Sequence, residues 1–162
     1  MKNTEYLLSI LRIALGFVFL WAFFDKSFGF GFSTPPESSW LNGVSPTSGF
    51  LQFGTKGIFN PVFQSLAGFS IIDWLFMLGL FAVGTALILG MGVKVAGYAG
   101  SMMMFLIYLS LFPPVQNPLI DQHIIYILVL LCFTFAPTTG STLGLGKWWR
   151  RTSLVKKMPW LI

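Results

Sequence analysis

The sequence predicts an all-α membrane protein, a four-transmembrane-helix bundle with short interfacial helices in the long outer loop between helices 1 and 2. The first observation is composition: of 162 residues, 55% are hydrophobic and only 9% are charged, whereas soluble domains carry about 25% charged residues. The second is two uncharged stretches of about 20 residues, the length that crosses a bilayer as a helix. The composition excludes an ordinary soluble domain, a disordered tail and a nucleic-acid-binding protein.

The chain forms a single integral membrane domain, residues 1–162. The four predicted spans cover about residues 6–28, 71–92, 94–114 and 118–137. The outer loop covers residues 29–69, and the basic cytoplasmic tail covers residues 141–162. No small-x-small cleavage site follows Phe24, so we expect the first helix to be retained. Gly97 and Ser101, four residues apart, predict close packing of the third span on the second. The fourth span begins with Asn117 as N-cap and Pro118 in the first helical position.

The third observation is the distribution of positive charge, which orients the bundle. With four spans, eight basic residues fall on one side of the membrane: Lys2, Arg12, Lys94, Lys147, Arg150, Arg151, Lys156 and Lys157. Lys26 and Lys56 fall on the other side. We therefore expect a multi-pass protein with cytoplasmic N- and C-termini. Arg12 is interpreted as an anchor that snorkels to the cytoplasmic headgroups.

The outer loop is too long and too rich in phenylalanine for a structureless connection. Two helix-start signals lie within it, Ser45–Pro46 and Asn60–Pro61. We expect two short helices in the outer interface, where aromatic rings prefer to lie. Together they would cover the outer end of the bundle as a lid.

The scarce polar side chains collect at the outer ends of the predicted helices: Asp25, Lys26, Asp73, Asp121 and His123. Ionisable residues in membrane-spanning segments cost free energy to insert and are commonly functional. They predict a polar pocket just below the outer headgroups. Trp21 lies one helical turn before Asp25, on the same face.

Each of these residues also has a structural interpretation. Asp73 follows Ser70 with the S-x-x-D spacing of a capping box, and the helix dipole favours Asp121 at a helix start. The dipole opposes Asp25 at a helix end, where Lys26 neutralises it or pairs with it functionally. His123 either exchanges protons near neutral pH or snorkels to headgroups.

Asp121 and His123 are two residues apart, about 200° around a helix, which argues against a direct pair between them. Cys132 is the single cysteine and His123 the single histidine. An internal disulfide relay, bis-histidine haem ligation and a zinc site are therefore excluded. We predict no metal and no covalently bound cofactor.

Four segments in order, LRIALGFVFLWAFFDK, NGVSPTSGF, NPLIDQHIIYILVLL and LGLGKWW, together resemble the DoxX/DoxD family. The resemblance implies a four-helix protein of the prokaryotic cell membrane. Its DoxD-like branch is similar to the membrane subunit of thiosulfate:quinone oxidoreductase, which passes electrons from thiosulfate to a membrane quinone and yields tetrathionate. It also implies a second, smaller subunit. Many members carry an acid where this chain has Gln122, so an acid-dependent role does not transfer to that position.

The resulting hypothesis is the membrane subunit of a quinone-linked oxidoreductase, with a membrane quinone as electron acceptor. The expected catalytic residues are His123, Asp121 and Asp25, and the expected substrate-binding residues are Lys26, Asp73 and Trp21. The expected partners are the lipid bilayer, a smaller oxidoreductase subunit and further copies of the chain, with no nucleic acid. The alternative is a non-catalytic DoxX-type membrane scaffold or anchor for a redox partner. A small-molecule carrier ranks last, because no span has a Gly/Pro break near its middle and no inverted repeat is visible.

Overall fold

The computed structural model describes residues 2–115 and 117–162, and every regular element in these two ranges is helical. The α-helices are α1 (Lys2–Phe28), α2 (Asn60–Ser65), α3 (Ser70–Leu89), α4 (Val93–Ser110), α5 (Gln122–Phe135), α6 (Gly146–Trp149) and α7 (Ser153–Lys157). Short 3-10 turns cover Pro36–Ser38, Trp40–Asn42, Pro137–Ser141 and Pro159–Leu161, and a π-helical turn covers Phe50–Gly54. The prediction of an all-α protein is confirmed.

Within the described residues, three helices are long and apolar enough to cross a membrane: α1, α3 and α4. α5 is apolar but has 14 residues, which at 1.5 Å per residue is about 21 Å, shorter than a hydrocarbon core of about 30 Å. The predicted start of this helix at Pro118 is wrong, because the helix begins at Gln122 with Asp121 as its N-cap. The side chain of Asn117 instead accepts hydrogen bonds from the backbone of Leu119 and Ile120 in the preceding turn.

Helices adjacent in the chain pack against each other, α1 on α3, α3 on α4 and α4 on α5. They share one core, formed by Leu15, Phe19, Met77, Leu80, Val83, Leu87, Val93, Ala96, Met104, Leu130 and Phe133. Glycines mark the closest backbone approaches: a Cβ on Gly84 would lie 3.0 Å from the Gly16 carbonyl oxygen, and one on Gly97 2.8 Å from that of Leu130. Gly97 therefore packs closely on α5, rather than on the second span as its spacing predicted.

The bundle has two ends, which we call the loop end, where α1 and α4 finish, and the tail end, where α3 finishes and α4 begins. At the tail end Arg12 is fully buried, so its interpretation as a snorkelling anchor is wrong. Its guanidinium donates hydrogen bonds to four backbone carbonyls, those of Leu87, Ile88 (3.2 Å), Thr142 (3.3 Å) and Leu143 (2.9 Å). The last carbonyls of a helix have no partner within it, and Arg12 satisfies two of those of α3 while fixing the start of the tail.

The connection from α1 to α3, residues 29–69, is held on the loop end. Its Leu51 is buried, and the Lys56 N–H donates to the carbonyl of Ser110 at the end of α4 (2.9 Å). The helix predicted at Asn60–Pro61 is present as α2. After Ser45–Pro46 the chain is helical over residues 48–54, of which Phe50–Gly54 form a π-helical turn.

Candidate functional site

The polar residues singled out from the sequence lie at the loop end in three separate clusters, centred on Asp25, Asp73 and Asp121. No hydrogen bond or ion pair among the described residues joins one cluster to another. The single polar pocket predicted from the sequence is therefore divided into three sites, and each is built differently.

Asp25, in the last turn of α1, is 1% exposed. One carboxylate oxygen accepts from the Ser33 hydroxyl (2.6 Å) and the Ser33 N–H (2.9 Å), and the other accepts from the Phe32 N–H (3.2 Å). Hydrogen bonds to a charged group are the stronger ones, and here they reverse the chain just after α1 ends. Both oxygens are occupied, so the described contacts of Asp25 attach the start of the loop to α1.

Trp21 lies beneath this turn in an aromatic cluster. Its ring centroid is 5.2 Å from that of Phe32, 5.7 Å from Phe30 and 5.8 Å from Phe17. These separations are in the range of favourable aromatic pairs. Lys26 is half-buried and has no hydrogen bond or ion pair within 2–115 and 117–162, the one described ion pair being elsewhere. The Asp25–Lys26 pair considered from the sequence thus makes no direct contact of this kind.

Asp73 lies in the first turn of α3 and is 8% exposed. The capping-box interpretation is wrong, because the N-cap of α3 is Phe69, whose side chain makes no capping hydrogen bond. Instead Asp73 Oδ1 accepts from the hydroxyl groups of Ser45 (2.7 Å) and Thr47 (2.5 Å). The segment that begins with Ser45 is thereby attached to α3.

A pocket of about 250 Å³ opens beside Asp73. It is lined by Trp40, Gly43, Val44, Ser45, Gly68, Ser70, Asp73 and Trp74. The rings of Trp40 and Trp74 meet nearly at right angles, with centroids 4.7 Å apart and an interplanar angle of 74°. Neither aromatic residue was singled out from the sequence. The sequence could have indicated Trp74, because this residue is adjacent to Asp73. No local sequence pattern predicts that Trp40 lies beside them.

Asp121 and His123 form a direct pair, with His123 Nδ1 2.7 Å from Asp121 Oδ2. The prediction against a direct pair is wrong, because it placed both residues in a regular helix. As N-cap, Asp121 has extended backbone angles, φ −123° and ψ −174°. Its Oδ1 accepts from the N–H groups of His123 (2.9 Å) and Ile124 (3.3 Å), which turns Oδ2 towards the imidazole.

The pair is nearly but not fully covered, with side-chain exposures of 12% for His123 and 13% for Asp121. Burial alone would raise the pKa of Asp121, but hydrogen bonds from the His123 ring and from the N–H groups of Ile124 and His123 lower it below its usual value. The carboxylate therefore stays ionised at neutral pH. It orients the imidazole through Nδ1, and Nε2 has no hydrogen-bond partner among the described residues.

An imidazole oriented by a carboxylate can act as a general acid or base. Among the described residues, no group of three or more His, Cys, Asp or Glu side chains is placed to hold a metal ion. No protein-family model matches the chain, and no curated protein or solved structure matches it either. The three clusters therefore have to be interpreted from their own chemistry.

Proposed function

We propose that this chain is the membrane subunit of a quinone-linked oxidoreductase, with thiosulfate as the electron donor and a membrane quinone as the acceptor. The observation that carries the proposal is the Asp121–His123 pair, an oriented imidazole at the end of an apolar helix. The resemblance of four chain segments to the DoxX/DoxD family supports the same reaction.

The balanced reaction defines what the chain must supply. Two thiosulfate ions join through a new S–S bond to give tetrathionate and release two electrons, and the quinone takes up two electrons and two protons. In the proposal, His123 donates one proton from Nε2 to a quinone oxygen and is reprotonated from water, water also supplies the second proton, and Asp121 holds the imidazole in its orientation. We assign the electron path to the smaller subunit or to direct contact of the reactants.

The test measures tetrathionate formation and reduction of a short-chain quinone analogue in membranes that contain the full chain, with and without the small subunit of a thiosulfate:quinone oxidoreductase. His123→Ala should lower the rate about 100-fold or more, in the range of a lost general acid. Gln122→Ala is the matched control, because Gln122 lies between the pair and is exposed. Absence of thiosulfate-dependent quinone reduction in both membranes would overturn the proposal.

A second candidate, a non-catalytic DoxX-type scaffold for a redox partner, is favoured by a different observation. The carboxylates of Asp25 and Asp73 hold segments of the outer loop on α1 and α3, which gives the protein a fixed outer surface. In this case His123→Ala leaves partner assembly and electron transfer unchanged. Asp25→Asn would instead weaken co-purification of the partner.

We further propose that α5 crosses the membrane as a fourth span, extended by the 3-10 turn Pro137–Ser141, in a prokaryotic cell membrane. Both termini would then be cytoplasmic, consistent with the basic tail. Single cysteines introduced by Glu37→Cys and Lys156→Cys into a Cys132→Ala background test this topology. A membrane-impermeant thiol reagent applied to intact cells should label the first and spare the second, and the reverse pattern would refute the orientation.

A further inference from the structure

The pocket beside Asp73 combines a carboxylate with two aromatic rings and has no cationic partner among the residues that the structure describes. Both hydroxyl donors, from Ser45 and Thr47, go to the same oxygen, Oδ1. The described residues provide no hydrogen-bond donor to Oδ2, and no basic side chain lines the pocket. A carboxylate that is 8% exposed loses much of its hydration, and such charges in proteins are normally paired.

The aromatic walls favour one class of partner for this carboxylate. Trp40 and Trp74 stand at 74° to each other, with centroids 4.7 Å apart. Rings that meet in a corner beside an acid provide the environment that binds substituted ammonium groups, because the ring faces carry partial negative charge. The pocket of about 250 Å³ has room for a small ammonium group. A dianion such as thiosulfate would instead be repelled by Asp73.

We propose that the pocket formed by Asp73, Trp40 and Trp74 is a binding site for a substituted ammonium group. Asp73 Oδ2 faces the cation, and the two indole rings contact its methyl or methylene groups. This site is distinct from the Asp121–His123 pair, and the proposal does not depend on the oxidoreductase function.

The ammonium group has two sources, the headgroup of an ethanolamine or choline phospholipid and a free amine in solution. The outer interface supplies the first, because Trp74 is 53% exposed and lies near the start of α3, a helix that is apolar enough to enter the bilayer. Both sources carry the same cationic group, so one probe, tetramethylammonium, reports on both.

The experiment titrates the full chain, purified in a maltoside detergent that carries no amine, with tetramethylammonium chloride, and follows binding by calorimetry and by tryptophan fluorescence. Sodium chloride at equal ionic strength is the reference. Asp73→Asn should weaken the affinity about tenfold or more, because it removes the charge while its amide oxygen can still accept from Ser45 and Thr47. Trp74→Leu should weaken it about two- to fivefold.

Glu37→Gln and Trp160→Phe are the matched controls, since both residues are exposed and lie outside the pocket. Saturable binding that the pocket variants weaken and the controls retain supports the site. A response equal to that of sodium chloride would overturn it, as would an affinity of Asp73→Asn within about twofold of wild type. If Asp73→Asn does not fold, Trp74→Leu tests the proposal instead, because the exposed Trp74 ring is not part of the core.

Nanodiscs then identify the source. In discs of phosphatidylglycerol alone, tetramethylammonium should bind as in detergent. If added phosphatidylethanolamine or phosphatidylcholine weakens this binding in wild type but has no effect on the residual binding of Trp74→Leu, the lipid headgroup is the ligand. If neither lipid competes, the site serves a free amine. Both results support the ammonium site, and loss of all binding in phosphatidylglycerol discs would overturn it.

Discussion

Replacement of Ser33 by alanine tests whether Asp25 holds the start of the 29–69 connection on α1. The Ser33 hydroxyl donates to the carboxylate at 2.6 Å, while the Ser33 and Phe32 N–H groups donate at 2.9 Å and 3.2 Å. Ser33→Ala removes one of these three donors and changes neither the charge nor the backbone. We therefore expect the loop to remain attached but to open more often.

The size of the effect follows from the kind of bond that is lost. A hydrogen bond to a charged group contributes about 1.5 to 3 kcal/mol. Because Ser33 is exposed, its hydroxyl recovers a bond to water when the loop opens, which favours the lower part of this range. A loss of about 1.5 to 2 kcal/mol corresponds to about a 10- to 30-fold rise in the open population.

Hydrogen exchange measured by mass spectrometry on a peptide covering residues 29–35 reports this opening directly. Exchange at the Phe32 and Ser33 amides should accelerate about 10- to 30-fold in Ser33→Ala. Fluorescence of Trp21 should change as well, since its ring packs on Phe32 at 5.2 Å. Ser38→Ala is the control in the same loop, because the Ser38 hydroxyl makes no described hydrogen bond. Exchange within twofold of wild type in Ser33→Ala would refute the anchoring role.

Three further predictions concern the helices. Arg12→Met should strongly lower the thermal stability in detergent, because the carbonyls of Leu87 and three other residues lose a donor and each unsatisfied group costs about 1 to 3 kcal/mol. An unchanged melting temperature would contradict the role of Arg12 in satisfying these carbonyls. Gly97→Leu should separate α4 from α5 and destabilise by more than about 1 kcal/mol, whereas Gly49→Ala, with open space around it, should melt like wild type. Asp121→Asn should lower the stability of the protein at pH 6, and its difference in stability from wild type should shrink below about pH 4. The reason is that a carboxyl group with a lowered pKa stabilises the fold above its unfolded pKa of 3.8, and this contribution is lost as the pH falls through the folded pKa. A difference that stays constant as the pH falls from 6 through this range would show that the Asp121 bonds do not depend on its charge.

The fold could be predicted from the sequence where local rules decide it. The second span was predicted at 71–92 and α3 covers Ser70–Leu89, because Gly90 adopts a positive φ of 72° and ends the helix. The start of α5, the predicted fourth span, was placed too early, because two N-cap signals lie within a few residues of each other: Asn117 with Pro118, and then Asp121. Asp121 caps the helix because its carboxylate satisfies two of the otherwise unpartnered N–H groups.

The contacts that build the candidate sites depend on positions far apart in the chain. Asp73 meets Thr47, 26 residues earlier, and Arg12 meets Leu143, 131 residues later. No periodicity or motif links such positions, so the sequence indicated that these side chains are unusual without showing their partners. The Asp121–His123 pair was missed for the opposite reason, since a helical rule was applied to a residue that is not in the helix.

The three acids at the loop end differ in how completely their oxygens are satisfied, and this difference separates their roles better than their burial does. Both oxygens of Asp25 accept donors from the loop, and the residue is 1% exposed, so its carboxylate is closed to a ligand. Asp121 uses Oδ1 to cap α5 and Oδ2 to orient His123, so any reactivity lies on the imidazole. Asp73 receives both its donors on Oδ1. Its other oxygen faces no described donor, so a cation from outside the chain is the partner that would complete it.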